Sequence, residues 1–164
     1  MSTISNTQTK EIVNDFCTEA LKLYSELEEI LLDLESNPSN RDEFEKFGQV
    51  IDRVMGAAKA VGADEIGKFC ELGKAIGYKA SQVQDTPLLN IVVAVLSDAV
   101  DLLKRMTMTI QTGEETGLEN MNTSAFVSRL KWLSGKFKSI KRSSVSIEAK
   151  SDADIDELLN NLGL

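Results

Sequence analysis

Apolar residues return every three or four positions through most of this chain, and no stretch shows the clean in-out alternation of a strand. That periodicity restricts the fold to packed helices, each burying one stripe. The first stripe is Ile12, Phe16, Ala20, Leu23, Leu27, Ile30, Leu31 and Leu34, which predicts a helix from about Thr9 to Glu35. Ser36-Asn37-Pro38-Ser39 is a turn signal. A second helix follows with Asn40 as cap and Glu43 in the capping-box slot, and with Phe44, Phe47, Ile51, Val54, Ala58 and Val61 turned inward. Gly62 punctuates the chain before a third helix, from Asp64 to about Ala80. Thr86-Pro87 offers a cap and first-turn proline for a fourth, lined by Leu88, Val92, Val95, Leu96, Ala99, Leu102, Leu103 and Met106.

Short connections between these four helices imply an all-α, antiparallel four-helix up-down bundle over residues 1–112. Residues 113–142 add a polar loop and a basic amphipathic helix, Thr123 to about Lys141, with Phe126, Leu130, Leu133, Phe137 and Ile140 on one side. Residues 143–150 are rich in Ser and Lys and read as a flexible linker.

Charge and composition exclude several functions. The net charge is −8, from 18 basic and 26 acidic residues, which argues against generic nucleic-acid binding. The charge is uneven: Arg129, Lys131, Lys136, Lys138, Lys141 and Arg142 lie in a stretch, 121–147, without an acidic residue. With Trp132 and Phe137, that helix suits either an anionic membrane surface or packing on the acidic body. The polar start, Met1 to Lys10, is not a secretory signal. The longest apolar run, Leu88 to Leu96, is too short to cross a bilayer. Cys17 and Cys70 fall on apolar helical faces and read as buried thiols in a reducing compartment, so a cytoplasmic protein is expected. No histidine is present, which removes the usual zinc sites, His-activated nucleophiles and any phospho-histidine relay. No cofactor of its own is expected.

Two segments carry chemistry. The last fourteen residues, SDADIDELLNNLGL, place Ile155, Leu158, Leu159 and Leu162 at i, i+3, i+4 and i+7, with Ser151 as cap and Asp154, Asp156 and Glu157 around the stripe. So short a helix is marginal alone and orders only against something else. Residues 151–164 therefore read as a docking peptide for a partner's groove, or as a terminal helix that folds back on its own domain. On the second helix, Glu45 and Gln49 stand four apart and project from one polar face, about 6 Å from each other. Asp52 and Arg53 lie beside them. Gln49 is either a catalytic amide or an ordinary solvated one.

The run Glu45-Lys46-Phe47-Gly48-Gln49-Val50-Ile51-Asp52-Arg53-Val54-Met55 resembles the active segment of the CheZ family of chemotaxis phosphatases. There an acidic residue precedes a Gly-Gln-Val-Ile-x-Arg-like run. The tail resembles the peptide with which that family holds its response regulator, with Leu164 in place of the aromatic residue of the ending. The resemblance implies dephosphorylation of the aspartyl phosphate of a CheY-like regulator. Gln49 would be the catalytic amide and Glu45 its acidic partner, with Glu here in place of the family's Asp. Mg2+ would sit on the partner, and the protein could form a homodimer. Ile155, Asp156, Leu158, Leu159 and Leu162 would bind the regulator.

Residues 52–63 also resemble the signature of a histidine-phosphotransfer (HPt) domain through Gly56, Gly62 and Ala63, and the likeness continues through Ile66 and Phe69-Cys70-Glu71-Leu72 to about residue 76. Asp52 stands for the phosphorylatable histidine and Met55 for the lysine, so phosphotransfer is not implied. The bundle and a docking surface of Asp52, Arg53 and Gly56 are. Gly56, with Ala57 and Ala60, admits either a partner or close packing of the second and third helices. The alternative function is a non-catalytic HPt-like adaptor that binds a regulator without chemistry.

Overall fold

The computed structural model describes residues 3–113, 121–143 and 154–164. It is all-helical: α1 (Thr3–Ser36), α2 (Arg41–Ala60), α3 (Asp64–Ser81), α4 (Thr86–Thr112), α5 (Ser124–Ser143) and α6 (Ile155–Asn161). No strand occurs among the described residues. The expected linker beyond Ser143, the Ser151 cap and most of the 113–122 loop lie outside them.

Each of α1 to α4 packs along two others, α1 on α2 and α4, and α3 on α2 and α4. Their stripes meet in one core that includes Phe16, Leu27, Phe47, Ile51, Phe69, Ile76, Val92 and Leu96. Ile12, expected in the first stripe, is instead exposed. Helix α4 is long and apolar enough to cross a membrane by length and composition, since its apolar window runs well beyond Leu96. Its apolar face is buried among the other helices.

Local signals set the helix ends. The Asn40 side chain accepts from Glu43 N at 3.4 Å and so caps α2. The reciprocal half of the capping box is missing. Asn40 N donates to Asn37 O, and the Glu43 carboxylate accepts from Lys46 Nζ at 2.9 Å. Helix α4 is capped one residue earlier than expected, by Asp85, whose carboxylate accepts from Leu88 N at 3.1 Å, with Pro87 in the first turn. Gly62 and Gly113 adopt left-handed backbone just past α2 and α4, which glycine does at no steric cost.

Helices α2 and α3 run antiparallel and very close. As numbering rises along α2, its partner on α3 falls: Phe47 meets Gly77, Ile51 meets Gly73, and Lys59 meets Gly67. The absent side chains of Gly73 and Gly77 are what let α2 approach. Gly56 is different, because a β-carbon there would meet nothing within 4 Å. Close α2–α3 packing therefore rests on α3 glycines and not on Gly56.

Two polar groups are stitched into the core. Tyr24 Oη and Thr107 Oγ1 share a 2.8 Å hydrogen bond between α1 and α4. Cys17 Sγ donates to Thr107 O at 3.7 Å, and both cysteines are free and buried, as the sequence implies. Burial pushes the Cys70 thiol up to about 12.

Helix α5 lies outside the first four helices, on α4, with Phe126, Leu130, Leu133 and Phe137 buried. Phe126 stacks on Phe69 of α3 with ring centroids 5.5 Å apart. Arg129 donates to Asp98 Oδ2 of α4 at 2.8 Å. Packing on the acidic body is thus the arrangement found, and Ile140 stays partly exposed at its end.

Candidate functional site

Helix α2 turns Phe44, Phe47, Ile51, Val54 and Ala58 into the core, which leaves its opposite side to solvent. Glu45, Gln49, Asp52 and Gly56 fall there at i, i+4, i+7 and i+11 and are all exposed. At 100° per residue these positions stay within a narrow arc, and at 1.5 Å rise they form a ridge about 16 Å long. Among the described residues, neither Glu45 nor Gln49 engages its side chain in a hydrogen bond or ion pair. Both the donor and the acceptor of the Gln49 amide are therefore open to a ligand.

The neighbouring charges are tied down by other helices. Lys74 Nζ of α3 donates to Asp52 Oδ1 at 2.8 Å. Arg53 Nη1 of α2 lies 3.7 Å from Glu26 Oε2 of α1. Nothing in the sequence marks Lys74 or Glu26 as a neighbour of this face. Asp52 and Lys74 are twenty-two residues apart, and only the α2–α3 pairing brings them together. These pairs are half-exposed, so each contributes at most about 1 kcal/mol. Their consequence is geometric: they bracket the ridge from both sides and leave Glu45, Gln49 and Gly56 uncovered.

The tail residues lie elsewhere, with α6 folded back on the body rather than free. Ile155, Leu158 and Leu159 are 1%, 7% and 1% exposed, packed where α6 meets α3 and α5. Leu162 and Leu164 pack partly against the same core. The fold-back alternative is the conformation found, for a physical reason. Three aliphatic side chains gain about 1.5–3 kcal/mol each on burial, and the α3 and α5 surfaces of the same chain are within reach.

Charge adds to this contact. Lys138 of α5 donates to Asp156 Oδ2 at 2.6 Å and lies 3.9 Å from Asp154 Oδ1. The hydrogen bond from Lys138 holds the Asp156 carboxyl below its ordinary value, with Ser134 and Lys131 assisting. The basic helix next to an acidic tail was the signal that could have foretold this docking.

The ends of α6 explain the tail sequence locally. Asp154, not Ser151, is its N-cap, accepting from Asp156 N at 2.9 Å. At the other end Gly163 is left-handed, Gly163 N donates to Asn160 O at 3.0 Å, and Leu164 N donates to Leu159 O at 2.9 Å. This is a Schellman stop, so Leu162-Gly163-Leu164 is a helix-termination signal as well as a resemblance.

The described residues contain no group of three or more His, Cys, Asp or Glu side chains placed to hold a metal ion. No protein-family model matches this chain, and no match appears among curated proteins or solved structures.

Proposed function

We propose that this protein accelerates hydrolysis of the aspartyl phosphate of a CheY-like response regulator, with the α2 ridge as its working surface. The observation that carries this reading is the unpartnered, solvent-facing Gln49 amide one turn from Glu45. In the reaction a water oxygen bonds to phosphorus as the phosphorus–carboxylate bond breaks. The regulator's aspartate leaves as a carboxylate, and inorganic phosphate takes up the remaining water proton or releases it to solvent. Such a transfer needs an aligned water and stabilised charge rather than a protein nucleophile. The Gln49 amide N–H donates to a phosphoryl oxygen while its carbonyl accepts from the water, which fixes the line of attack. Glu45 pairs with a cation of the regulator and sets the register. The metal ion of the reaction, Mg2+, belongs to the regulator.

The same reading takes α1 to α4 as an HPt-like antiparallel four-helix bundle, whose exposed Asp52, Arg53 and Gly56 form the docking surface. It places the reaction in the cytoplasm. The adaptor alternative is favoured by one specific observation. The docked α6 withholds the second regulator contact, leaving α2 to bind alone. Decay of phosphorylated regulator with and without the protein separates the two. A phosphatase shortens the lifetime and Gln49→Ala removes most of the effect, whereas an adaptor binds and leaves the lifetime unchanged.

A further inference from the structure

Helix α6 has one apolar face, and that face is in use. Ile155, Leu158 and Leu159 are sealed against α3 and α5, while Asp154 and Asp156 face Lys138. The same side chains cannot fill a partner's groove at the same time. A seven-residue helix is not stable in isolation, so α6 is ordered either on its own body or on something that replaces it. Only ten residues separate α5 from Asp154, so the cis groove is always presented at roughly millimolar effective concentration.

We propose that the α3/α5 groove is a cis receptor for α6, and that regulator capture and cis docking compete for the face formed by Ile155, Leu158 and Leu159. This rests on the reading of α6 as a regulator-binding segment. The competition also defines the partner surface. To displace the cis groove it must offer an apolar trough with a lysine or arginine at its lip, answering Asp154 and Asp156 as Lys138 does. Apparent affinity is the intrinsic affinity scaled by the undocked fraction, so a tenfold preference for the docked state weakens capture about tenfold.

The test uses the full chain carrying Ser134→Cys and Asp156→Cys, positions near enough across α5 and α6 for the Ser134 hydroxyl to help lower the Asp156 carboxyl. The native cysteines are buried. Oxidation locks α6 down, and reduction releases it in the same molecule. Binding of phosphorylated CheY-like regulator is measured in both states, alongside amide exchange at Leu158 and Leu159 without regulator. Locking is expected to weaken binding at least tenfold, with recovery on reduction. Lys138→Glu, which sets like charges together, is expected to speed exchange in α6 and tighten binding.

Equal regulator binding by the locked and reduced forms overturns the competition, as does a Lys138→Glu chain whose α6 opens without a change in affinity. If regulator binding ignores α6 in every form while decay still depends on Gln49, the inference fails and the catalytic reading stands. If locking controls binding but Gln49→Ala leaves decay unaltered, the catalytic reading fails and the competition stands.

Discussion

Gly73 of α3 faces Ile51 of α2 so closely that a β-carbon on Gly73 would stand 2.6 Å from Ile51 Cδ1. Ile51 is fully buried, so its Cδ1, the far end of the side chain, must turn aside within the core. Gly73→Ala therefore sets overpacking, about 1–3 kcal/mol, against a helix-propensity gain of about 1 kcal/mol. The net outcome is destabilisation of about 1 kcal/mol, read as a lower urea midpoint with an unchanged slope. An unchanged or raised midpoint would contradict this account of α2–α3 packing.

Gly56 predicts the opposite sign. It sits inside α2, is exposed, and has open space around its missing side chain. Gly56→Ala stabilises the isolated protein by about 0.5–1 kcal/mol through helix propensity alone. If a regulator docks on this ridge, the added methyl weakens that association even as the melting temperature rises. Thermal unfolding and regulator titration on one variant read both effects.

Gln49→Ala changes an exposed side chain without partners, so folding stability stays within about 0.5 kcal/mol of the parent. Acceleration of regulator dephosphorylation falls on the order of 10²–10³-fold, the scale for loss of a donor that stabilises developing charge. Glu45→Gln acts mainly on the concentration of regulator needed for half-maximal rate. Single-turnover decay across regulator concentrations distinguishes the two effects.

Thr107 is fully buried, and its hydroxyl meets the Tyr24 phenol at 2.8 Å. Thr107→Val leaves that phenol without its partner in the core, at a cost of about 1–3 kcal/mol. Pairing it with Tyr24→Phe removes the orphaned group and recovers part of the loss. A double-mutant cycle by chemical denaturation measures the coupling, and an additive double variant would exclude it.

Docking of α6 responds to acid with a definite sign. The hydrogen bond from Lys138 lowers the Asp156 carboxyl from its ordinary 3.8, so undocked α6 takes up its proton at the higher pH. The docked form is accordingly favoured throughout the range above 3.8, and that advantage is lost as pH falls through the lowered value. Exchange protection at Leu158 and Leu159, corrected for intrinsic exchange rates, should be level from neutral pH to about 5 and decline only below the ordinary carboxylate range. Lys138→Met shrinks this acid limb, leaving only the smaller contributions of Ser134 and Lys131.

Much of the architecture is legible residue by residue. Periodicity located the five long helices, Asn40 and Pro87 marked helix starts, and the apolar spacing of Cys17 and Cys70 placed both thiols inside. These signals are local: a helix stripe, a cap or a turn is specified within a few residues. Ile12 lies on the first stripe yet is exposed, because a stripe shows which face is apolar, not how far along it a neighbour reaches. Gly56 carries two roles in the sequence because a glycine looks the same whether the space beside it is filled or empty.

The sequence by itself determined that the chain is helical and that Glu45, Gln49, Asp52 and Gly56 share one face of α2, since helix geometry alone puts them there. Only the tertiary structure decided that Lys74 and Glu26 flank that face, that Gly73 carries the close packing, and that α6 rests on α3 and α5. Those outcomes depend on which surfaces meet, and burial energy is indifferent to whether an apolar stripe is covered by its own chain or by another.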